Sequence, residues 1–597
     1  MSEDFLTPLT GDIKSRAFLT WDIESKDGAS QRAGFTRPFL AGTYDGVSYR
    51  CAKSKVRGDL DYWKPGGVID VSMRSHVLIP RHRGKIIYAH NAGRFDYLFL
   101  LPWLEETARG LGYLYRVVPL QSSIQLLEVW TKGHRARWRF LDSVRLLQQP
   151  LDSAAKTFGF EGKLEFDLEN DEDHPEWPAY NEVDNVQLYN VMSKYHYYVE
   201  ERLKAEVKIS TAGTAMSYYR RNHLSKKIPR ESETHDFVRQ AYFGGRVEVF
   251  RREGTGLRYY DINSSYPTAM LNPLPSGPCT PWEGPIPDKL SLGRTGFIEA
   301  DVDLPPCNYP PLPVRHDSKL MFPVGRLSGV WSWIELQRVK QYVKRWGRSY
   351  WYESSPILAS FVKALYQFRD KSRPDYDAGM AQIAKYILNG LYGKFGMNQD
   401  RTKLIIAGQQ EIPEGAWPAD GTPESAIWYA TERIDQPYII PQIAATVTAY
   451  SRVMLLDWML KVEELGGSVF YTDTDAVVTD VILPTSPALG DLKQEYGDNL
   501  TGTFIGPKMY ALTEPDGTPH VRAKGFGKAH RTIESIRKLV EGQAIAYDHL
   551  EKIGAMARKG FKEGPQMIRQ TKSLKAQVHK RDFDAQGHSK PIVLKQW

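Results

Sequence analysis

A chain of 597 residues, with 42% hydrophobic and 25% charged side chains, is too long for one core and divides into several domains, and its composition excludes wholesale disorder and a fibrous protein. The formal charge of +7 and pI near 8.9 are compatible with a polyanionic partner but weak for this length, because acids nearly balance bases. Only Cys51, Cys279 and Cys307 are present, with no CxxC pair, secretory N-terminal pattern or apolar run long enough to span a bilayer, which points away from disulfide frameworks, structural zinc and membranes and toward a soluble cytoplasmic protein.

From Ala17 to Ile23, AFLTWDI predicts a buried strand whose end carries Asp22 and Glu24, acids at i and i+2 on one face. A second apolar strand, IIYAH from Ile86, runs into Asn91, Phe95 and Asp96 and then the apolar YLFLLPWL, so Asp96 lies where strand gives way to helix. The run from Glu161 to Glu176 is acidic and predicts a solvated loop without chemistry. Beyond it, Val183, Val186, Tyr189 and Val191 or Met192 fall at helical spacing, which puts Tyr180 and Asp184 on one helix face. A strand acid pair, a strand-end acid and a helical Tyr–Asp pair are the parts of a two-metal nuclease centre, although each alone is an ordinary terminus residue.

The segment from Lys208 to Ser232 interleaves Lys and Arg with Tyr, and Tyr242, Phe243, Gly244, Gly245 and Arg246 form a glycine turn with an aromatic and a base, a composition that suits either a phosphodiester backbone or a solvated surface turn. The strand LRYY leads into Asp261; Pro267 stops it, and the amides just after Asp261 are expected to face an anion such as triphosphate. Up to about Ser360 the chain is rich in Pro and Trp and predicts an insertion with a basic helix over GVWSWIELQRVKQYVKRWG. From Asp377 a helix places Lys385, Asn389, Tyr392 and Gly396 near one stripe. Residues 398–437 predict a second insertion or hairpin, followed by a helix from Pro441 to Leu465.

In SVFYTDTDAVVTDVIL, Ser468 to Leu483, two short strands meet at a tight turn, and Asp473 and Asp475 project to the same face. Such repulsion calls for a cation with oxygen ligands, and Asp261 is the candidate third carboxylate. FIGPKMYAL sets Lys508 and Tyr510 at i and i+2 on a strand. From Lys524 the chain is basic and mostly helical in pattern, including KGFGKAHR and KSLKAQVHKR, as for a part gripping duplex backbone.

Taken in order, WDIES, HNAGRFD and YNEVD resemble the three exonuclease motifs of family B DNA polymerases, and DINSSYP, KYILNGLYG and YTDTD resemble polymerase motifs A, B and C. The short chain, the YFGG turn, the TAG segment at Thr211 to Gly213, the KMY segment and intervals for two insertions are most similar to the protein-primed subgroup of linear phage genomes and linear plasmids. The resemblance implies an α/β multidomain (α+β) fold, with an RNase H-like exonuclease domain over 1–205 followed by a right-hand polymerase over 206–597. Its palm would span about 206–310 and 437–525, the first insertion about 311–360, the fingers about 361–397, the second insertion about 398–436 and the thumb about 526–597.

By the same resemblance, Asp261 and Asp475 bind two Mg²⁺, or Mn²⁺ in their place, with Asp473 in support. Tyr266 excludes a 2′-hydroxyl, Lys385 neutralises the incoming dNTP, and Asn389 and Tyr392 shape the base-pair pocket. Asp22, Glu24, Asp96 and Asp184 hold two metals in the nuclease centre, where Tyr180 orients water and Asn91 and Phe95 hold the frayed strand. Tyr242, Gly244 and Gly245 help pass the primer end between centres, and Lys508 and Tyr510 steady it. Implied partners are DNA template and primer, dNTPs and a terminal protein, acting on a monomer away from membranes. Ser265 and Gly390 depart from the family pattern, which usually has a bulky apolar residue and Ser there. The alternative is a nucleic-acid-primed family B repair or replication polymerase. A nuclease alone has no need of a triphosphate-binding helix, and an inactive binding protein has no reason to keep every carboxylate.

Overall fold

Leu19, Thr20 and Trp21 are consecutive and all buried, so the first apolar segment forms a strand covered on both faces, β1 (Phe18–Asp27), inside a seven-stranded mixed sheet. In this computed structural model the described residues are 4–27, 36–56, 58–317, 319–527, 530–573 and 580–595. The sheet continues with β2 (Thr36–Tyr44), β3 (Tyr49–Lys53), β4 (Ile86–Ala89), β5 (Tyr113–Leu120), β6 (Ser123–Thr131) and β7 (Trp138–Asp142). Across it the strands lie β3-β2-β1-β4-β7-β6-β5, with β4 parallel to β1 and β7 and the outer pairs antiparallel.

Two helices bring the remaining acids to β1: α1 (Asp96–Pro102), reached from β4 through a 3₁₀ turn at Ala92–Arg94, and α2 (Trp177–Tyr197), packed across β1 and β2. The stripe expected on α2 is corrected. Val183, Val186 and Tyr189 are only half-buried, while Asn181, Asp184, Asn185, Leu188, Val191, Met192 and Tyr195 form the buried face. Trp177 and Tyr180 pack on Phe39 and Leu40 of β2, Asn181 and Asp184 turn to the acids of β1, and apolar packing resumes at Leu188.

The next domain starts with α3 (Thr211–Asn222), β8 (Val247–Val249), β9 (Glu253–Ile262) and the short α4 (Ser265–Ala269). The expected basic helix in the first insertion is largely wrong. β10 (Leu274–Glu283), β11 (Arg294–Leu304), β12 (Val324–Ser332) and β13 (Val343–Ser355) are hydrogen-bonded in the order β10-β13-β11-β12, and only 333–342 between β12 and β13 is helical. Pairing of β11 with β12 over eight successive positions outweighs the local helical spacing. The sheet begins at Leu274, so the domain boundary expected near 310 falls inside it.

α5 (Ala359–Gln367) and α6 (Ala378–Phe395) follow, the latter capped by Asp377 Oδ1 on the Met380 N–H at 2.8 Å. The second insertion is a hairpin as expected: β14 (Asp400–Ile406), β15 (Trp417–Pro418) and β16 (Ile427–Arg433) lie in the order β14-β16-β15. Its Leu404, Ile406 and Ile427 share a core with Val117 of β5 and with Ile553, Met556 and Phe561 from the C-terminal region, tying three parts of the chain together.

The long α7 (Pro441–Glu464) backs the eight-stranded sheet that contains β8 and β9. That sheet adds β17 (Val469–Asp473), β18 (Ala476–Thr479), β19 (Leu492–Gln494), β20 (Leu500–Gly506), β21 (Met509–Thr513) and β22 (Pro519–Ala523), in the order β8-β17-β18-β9-β20-β21-β22, with β19 also on β9. Leu455, Met459 and Val462 of α7 pack on Tyr260, Ile262, Val469 and Val477, while Tyr259, Tyr471 and Val478 point into a second core with Phe504 and Leu512.

The C-terminal region departs from the helical expectation. Only Ile533–Val540 and Ile553–Arg558 are helical among the described residues; two hairpins (Ile545–Leu550 with Met567–Lys572, Arg581–Phe583 with Ser589–Pro591) and the short strand Val593–Leu594, parallel to the start of β12, provide the rest of its regular structure. Residues 528, 529 and 574–579 of its two basic stretches lie outside the described residues. Among the described residues no helix is long and apolar enough to cross a membrane.

Candidate active site

Between β17 and β18 only Thr474 and Asp475 remain to turn the chain, and Thr474 takes the left-handed φ of 70° that so short a turn demands. Backbone bonds hold the tip: the Thr474 N–H to Arg246 O (2.7 Å), the Asp475 N–H to Asp473 O (2.8 Å) and the Ile262 N–H to Asp475 O (2.9 Å). Gly245 makes room for it, since a Cβ there would lie 3.0 Å from Thr474 Cα. Asp261 stands opposite Ala476 in the register of β9 and β18, so Asp261 and Asp475 face one cavity of about 370 Å³, with Asp473, Glu495, Lys508, Tyr510 and Arg522 in its wall.

Burial pushes the Asp475 carboxyl up to about 7, and the charges of Asp261 and Asp473 add to the rise. Asp261 is raised by burial too, with Lys493 at 3.1 Å pulling the other way. Lys508 pairs with Asp473. It does so from a turn at φ 59° between β20 and β21, not from a strand as expected; Pro507 ahead of it ends β20. Its N–H donates to the Tyr471 hydroxyl at 2.8 Å. Of the amides after Asp261, those of Ile262 and Asn263 are taken by Asp475 O (2.9 Å) and Asp491 O (2.8 Å).

Tyr266 on α4 and Tyr392 on α6 stack with ring centroids 4.3 Å apart beside this cavity, while Lys385 and Asn389 are exposed along α6. Tyr242 lies against the end of the same helix, where a Cβ on Gly396 would fall 2.5 Å from its ring. The departures have steric reasons. Ser265 Oγ is 2.8 Å from Ser451 Oγ of α7 in a buried contact, and Gly390 lets α6 approach α3 so closely that a Cβ would meet Ala212 Cα at 3.2 Å.

Two groups escaped the sequence reading here. Arg369 donates from Nη1 to Ser264 Oγ (2.7 Å), a second cation beside the turn that carries Tyr266. Arg452 of α7 is buried in a bidentate pair with Glu335 (2.8 and 2.9 Å) and donates to the carbonyls of Phe243 (2.6 Å) and Gly244 (3.0 Å), fixing the glycine turn from behind. Glu335 is raised by burial, with Arg452 opposing.

The N-terminal domain holds a second acidic cluster. β1 carries Asp22 and Glu24, Asp96 opens α1 with its Oδ1 3.4 Å from the Ile23 N–H, and α2 carries Tyr180 and Asp184. Burial raises Asp22, and Glu24 and Asp184 add to it; burial alone is the leading cause for Glu24, pushed up to about 7, and for Asp96. The acidic loop expected to be inert supplies a site residue: Lys163 pairs with Asp184 and lies 3.4 Å from the Tyr180 hydroxyl. As the only Lys or Arg in that run, Lys163 was a usable signal. Burial works against its charge, yet Asp184 more than offsets this and its pKa is raised. At the mouth, Asn91 is exposed at φ 61° and Phe95 is half-buried against Phe99.

Among the described residues no three His, Cys, Asp or Glu side chains converge as a ready metal cage. Lys493, Lys508 and Lys163 instead stand against the acids. The donor sets nevertheless suit a divalent cation: hard oxygen ligands raise one another's pKa in both clusters, and Asp184 Oδ1 is buried without a hydrogen-bond partner.

A family model described as DNA polymerase type B, organellar and viral, matches residues 170–419. The chain is similar to a probable DNA polymerase of Ascobolus immersus (25% identical, covering 72% of this chain and 41% of that protein) and to one of Podospora anserina (25%, 78% and 49%). It is likewise similar to the DNA-directed DNA polymerase of Enterobacteria phage PRD1, 26% identical over 83% of each. The chain thus spans less than half the length of these fungal relatives. In fold it matches Phi29 DNA polymerase complexed with primer-template DNA and incoming nucleotide, with a TM-score of 0.71 at 18% identity over 94% of this chain and 100% of that one.

Proposed function

We propose that the chain belongs to the type B DNA polymerases of the organellar and viral kind and is a DNA-directed DNA polymerase with a 3′–5′ proofreading exonuclease, copying a linear viral or plasmid genome from a protein primer with strand displacement. The observation that carries this reading is the pairing of Asp261 with Asp475 across adjacent strands in one cavity, together with a separate acid cluster on another sheet. Two such clusters in one chain suit two opposed reactions on the same phosphodiester.

In the extension centre Asp261 and Asp475, supported by Asp473, would hold two Mg²⁺, or Mn²⁺ in their place; Asp22, Glu24, Asp96 and Asp184 would do so in the nuclease centre. Bound there, the ions would stabilise charge on the entering and leaving oxygens of in-line displacement. The chain's own groups do the rest. Lys385 and Arg369 neutralise the incoming triphosphate, and the ring of Tyr266, backed by Tyr392, leaves no room for a 2′-hydroxyl. Asn389 and Tyr392 bound the nascent base pair, and Lys508 and Tyr510 steady the primer end. Tyr242 to Gly245 guide that end between centres. Tyr180, with Lys163 beside it, orients the attacking water, and Asn91 and Phe95 hold the frayed strand. Residues 1–205 form the nuclease domain and 206–597 the palm, fingers and thumb with their two insertions. The protein acts as a monomer in the cytoplasm of its host.

Asp475→Ala should abolish primer extension with dNTPs and leave single-strand degradation, and Asp22→Ala with Asp96→Ala should do the reverse; undiminished activity in either would sink that half of the reading. Incubation with labelled dNTP, a linear template and candidate terminal protein should attach label covalently to protein, whereas label found only on nucleic-acid primers would refute protein priming.

A further inference from the structure

Asn181 is fully buried on α2, one residue after Tyr180, and its amide faces the acids of β1. Nδ2 donates to Asp22 Oδ2 (2.9 Å) and to Glu24 Oε1 (3.0 Å), one hydrogen for each carboxylate. Oδ1 accepts from the Tyr49 hydroxyl (2.9 Å) and from Asn185 Nδ2 (3.0 Å). With two donors on the oxygen and two acceptors on the nitrogen, all the hydrogen-bonding capacity in view of the site is used in one orientation; a flipped amide would set oxygen against carboxylate and NH₂ against NH₂. Gly42 on β2 creates the space, because a Cβ there would fall 1.8 Å from Asn181 Oδ1 and 2.8 Å from the Tyr49 ring.

We propose that Asn181, oriented by Tyr49 and Asn185, is the positioning residue that sets the spacing and direction of Asp22 and Glu24 for the cations of the nuclease centre. The inference rests on the nuclease reading given above. With Asp22 Oδ2 and Glu24 Oε1 engaged by the amide, Asp22 Oδ1 and Glu24 Oε2 would be the oxygens left to hold a metal. It also keeps two like charges at i and i+2 from swinging apart when no cation is bound. Asn181 touches neither substrate nor the reacting atoms; it acts through the carboxylates, as outer partners of metal ligands do.

The test is a Mn²⁺ titration of the full chain followed by electron paramagnetic resonance. Sites lost in Asp22→Ala are those of the nuclease centre. Asn181→Ala should weaken Mn²⁺ at those sites by about 10- to 100-fold, with degradation of single strands partly restored at high Mn²⁺ and primer extension retained as a check on folding. Tyr49→Phe, which removes one anchor of the amide and keeps the acids, should weaken binding in the same direction by a smaller factor and serves if Asn181→Ala fails to fold. Unchanged Mn²⁺ affinity in both variants, where Asp22→Ala abolishes binding, overturns the role of Asn181 and leaves the nuclease centre standing. If Asp22→Ala alters neither Mn²⁺ binding nor degradation, the nuclease reading falls and this proposal falls with it.

Discussion

Replacing Asp475 by Asn should make the metal-free protein more stable at neutral and alkaline pH while abolishing extension. Burial, Asp261 and Asp473 together carry the Asp475 carboxyl from 3.8 to about 7. At about 1.4 kcal/mol per tenfold this is about 4 kcal/mol for ionising it in place, which partial exposure to the cavity trims to about 2–3 kcal/mol. The folded chain holds this proton more tightly than the unfolded chain. The stability that results is complete below the ordinary Asp value and is lost as pH rises through about 7. Asn carries no charge to bury, so in EDTA at pH 8 Asp475→Asn should melt on the order of 2–4 °C above the unsubstituted protein, and at pH 5.5, midway between the ordinary Asp value and the raised one, the gap should fall to about half. Added Mg²⁺ should narrow the gap at pH 8, because a cation offsets the same charge. Differential scanning fluorimetry at the two pH values reads all of this. Equal midpoints at pH 8, or an advantage that does not change with pH, would refute the argument that like-charge crowding in this turn is what a metal relieves.

Tyr266→Val should raise ribonucleotide incorporation with little change in dNTP use, because the ring stacked 4.3 Å from Tyr392 is lost and the pocket widens on the sugar side; unchanged sugar discrimination in a primer-extension gel contradicts the gate. Arg452→Met should cost about 3–5 kcal/mol in urea denaturation, as Glu335 is left buried and unpaired, and Arg452→Met with Glu335→Leu should recover most of it. If the double variant stays as unstable as the single one, the cost lies in the lost bonds to Phe243 and Gly244 rather than in the stranded charge.

What could be read from the sequence was whatever its own neighbours determine. Acids at i and i+2 on Phe18–Asp27, the turn at Thr474, and the stripe on Ala378–Phe395 follow from period and turn chemistry within a dozen residues. What escaped depends on partners far along the chain. The segment from Trp333 to Tyr342 has helical spacing and is helical, but its flanks become strands by pairing with Arg294–Leu304, and no local pattern announces that. Arg452 and Glu335 are 117 positions apart, and Lys163 reaches Asp184 from a loop whose acidity disguised it. Nothing in the sequence around Asn181 marks it, because its two acceptors lie on β1, more than 150 positions away. Lys508 is a lesser case, since Pro507 gave fair warning of a turn.

The grip of Arg452 on the glycine turn has a consequence for how this protein can change over generations. Its guanidinium holds Phe243 and Gly244 by their carbonyl oxygens, and Arg315 takes Gln240 in the same way, at 3.1 Å. Carbonyl oxygens are common to all twenty residue types. The shape of the turn is therefore inherited through Arg452 and Arg315, while at its exposed position, Gly244, an added side chain would meet nothing within 4 Å. Substitutions at Gly244 should be tolerated by the fold far better than substitutions at Arg452, although Arg452 lies more than two hundred positions away.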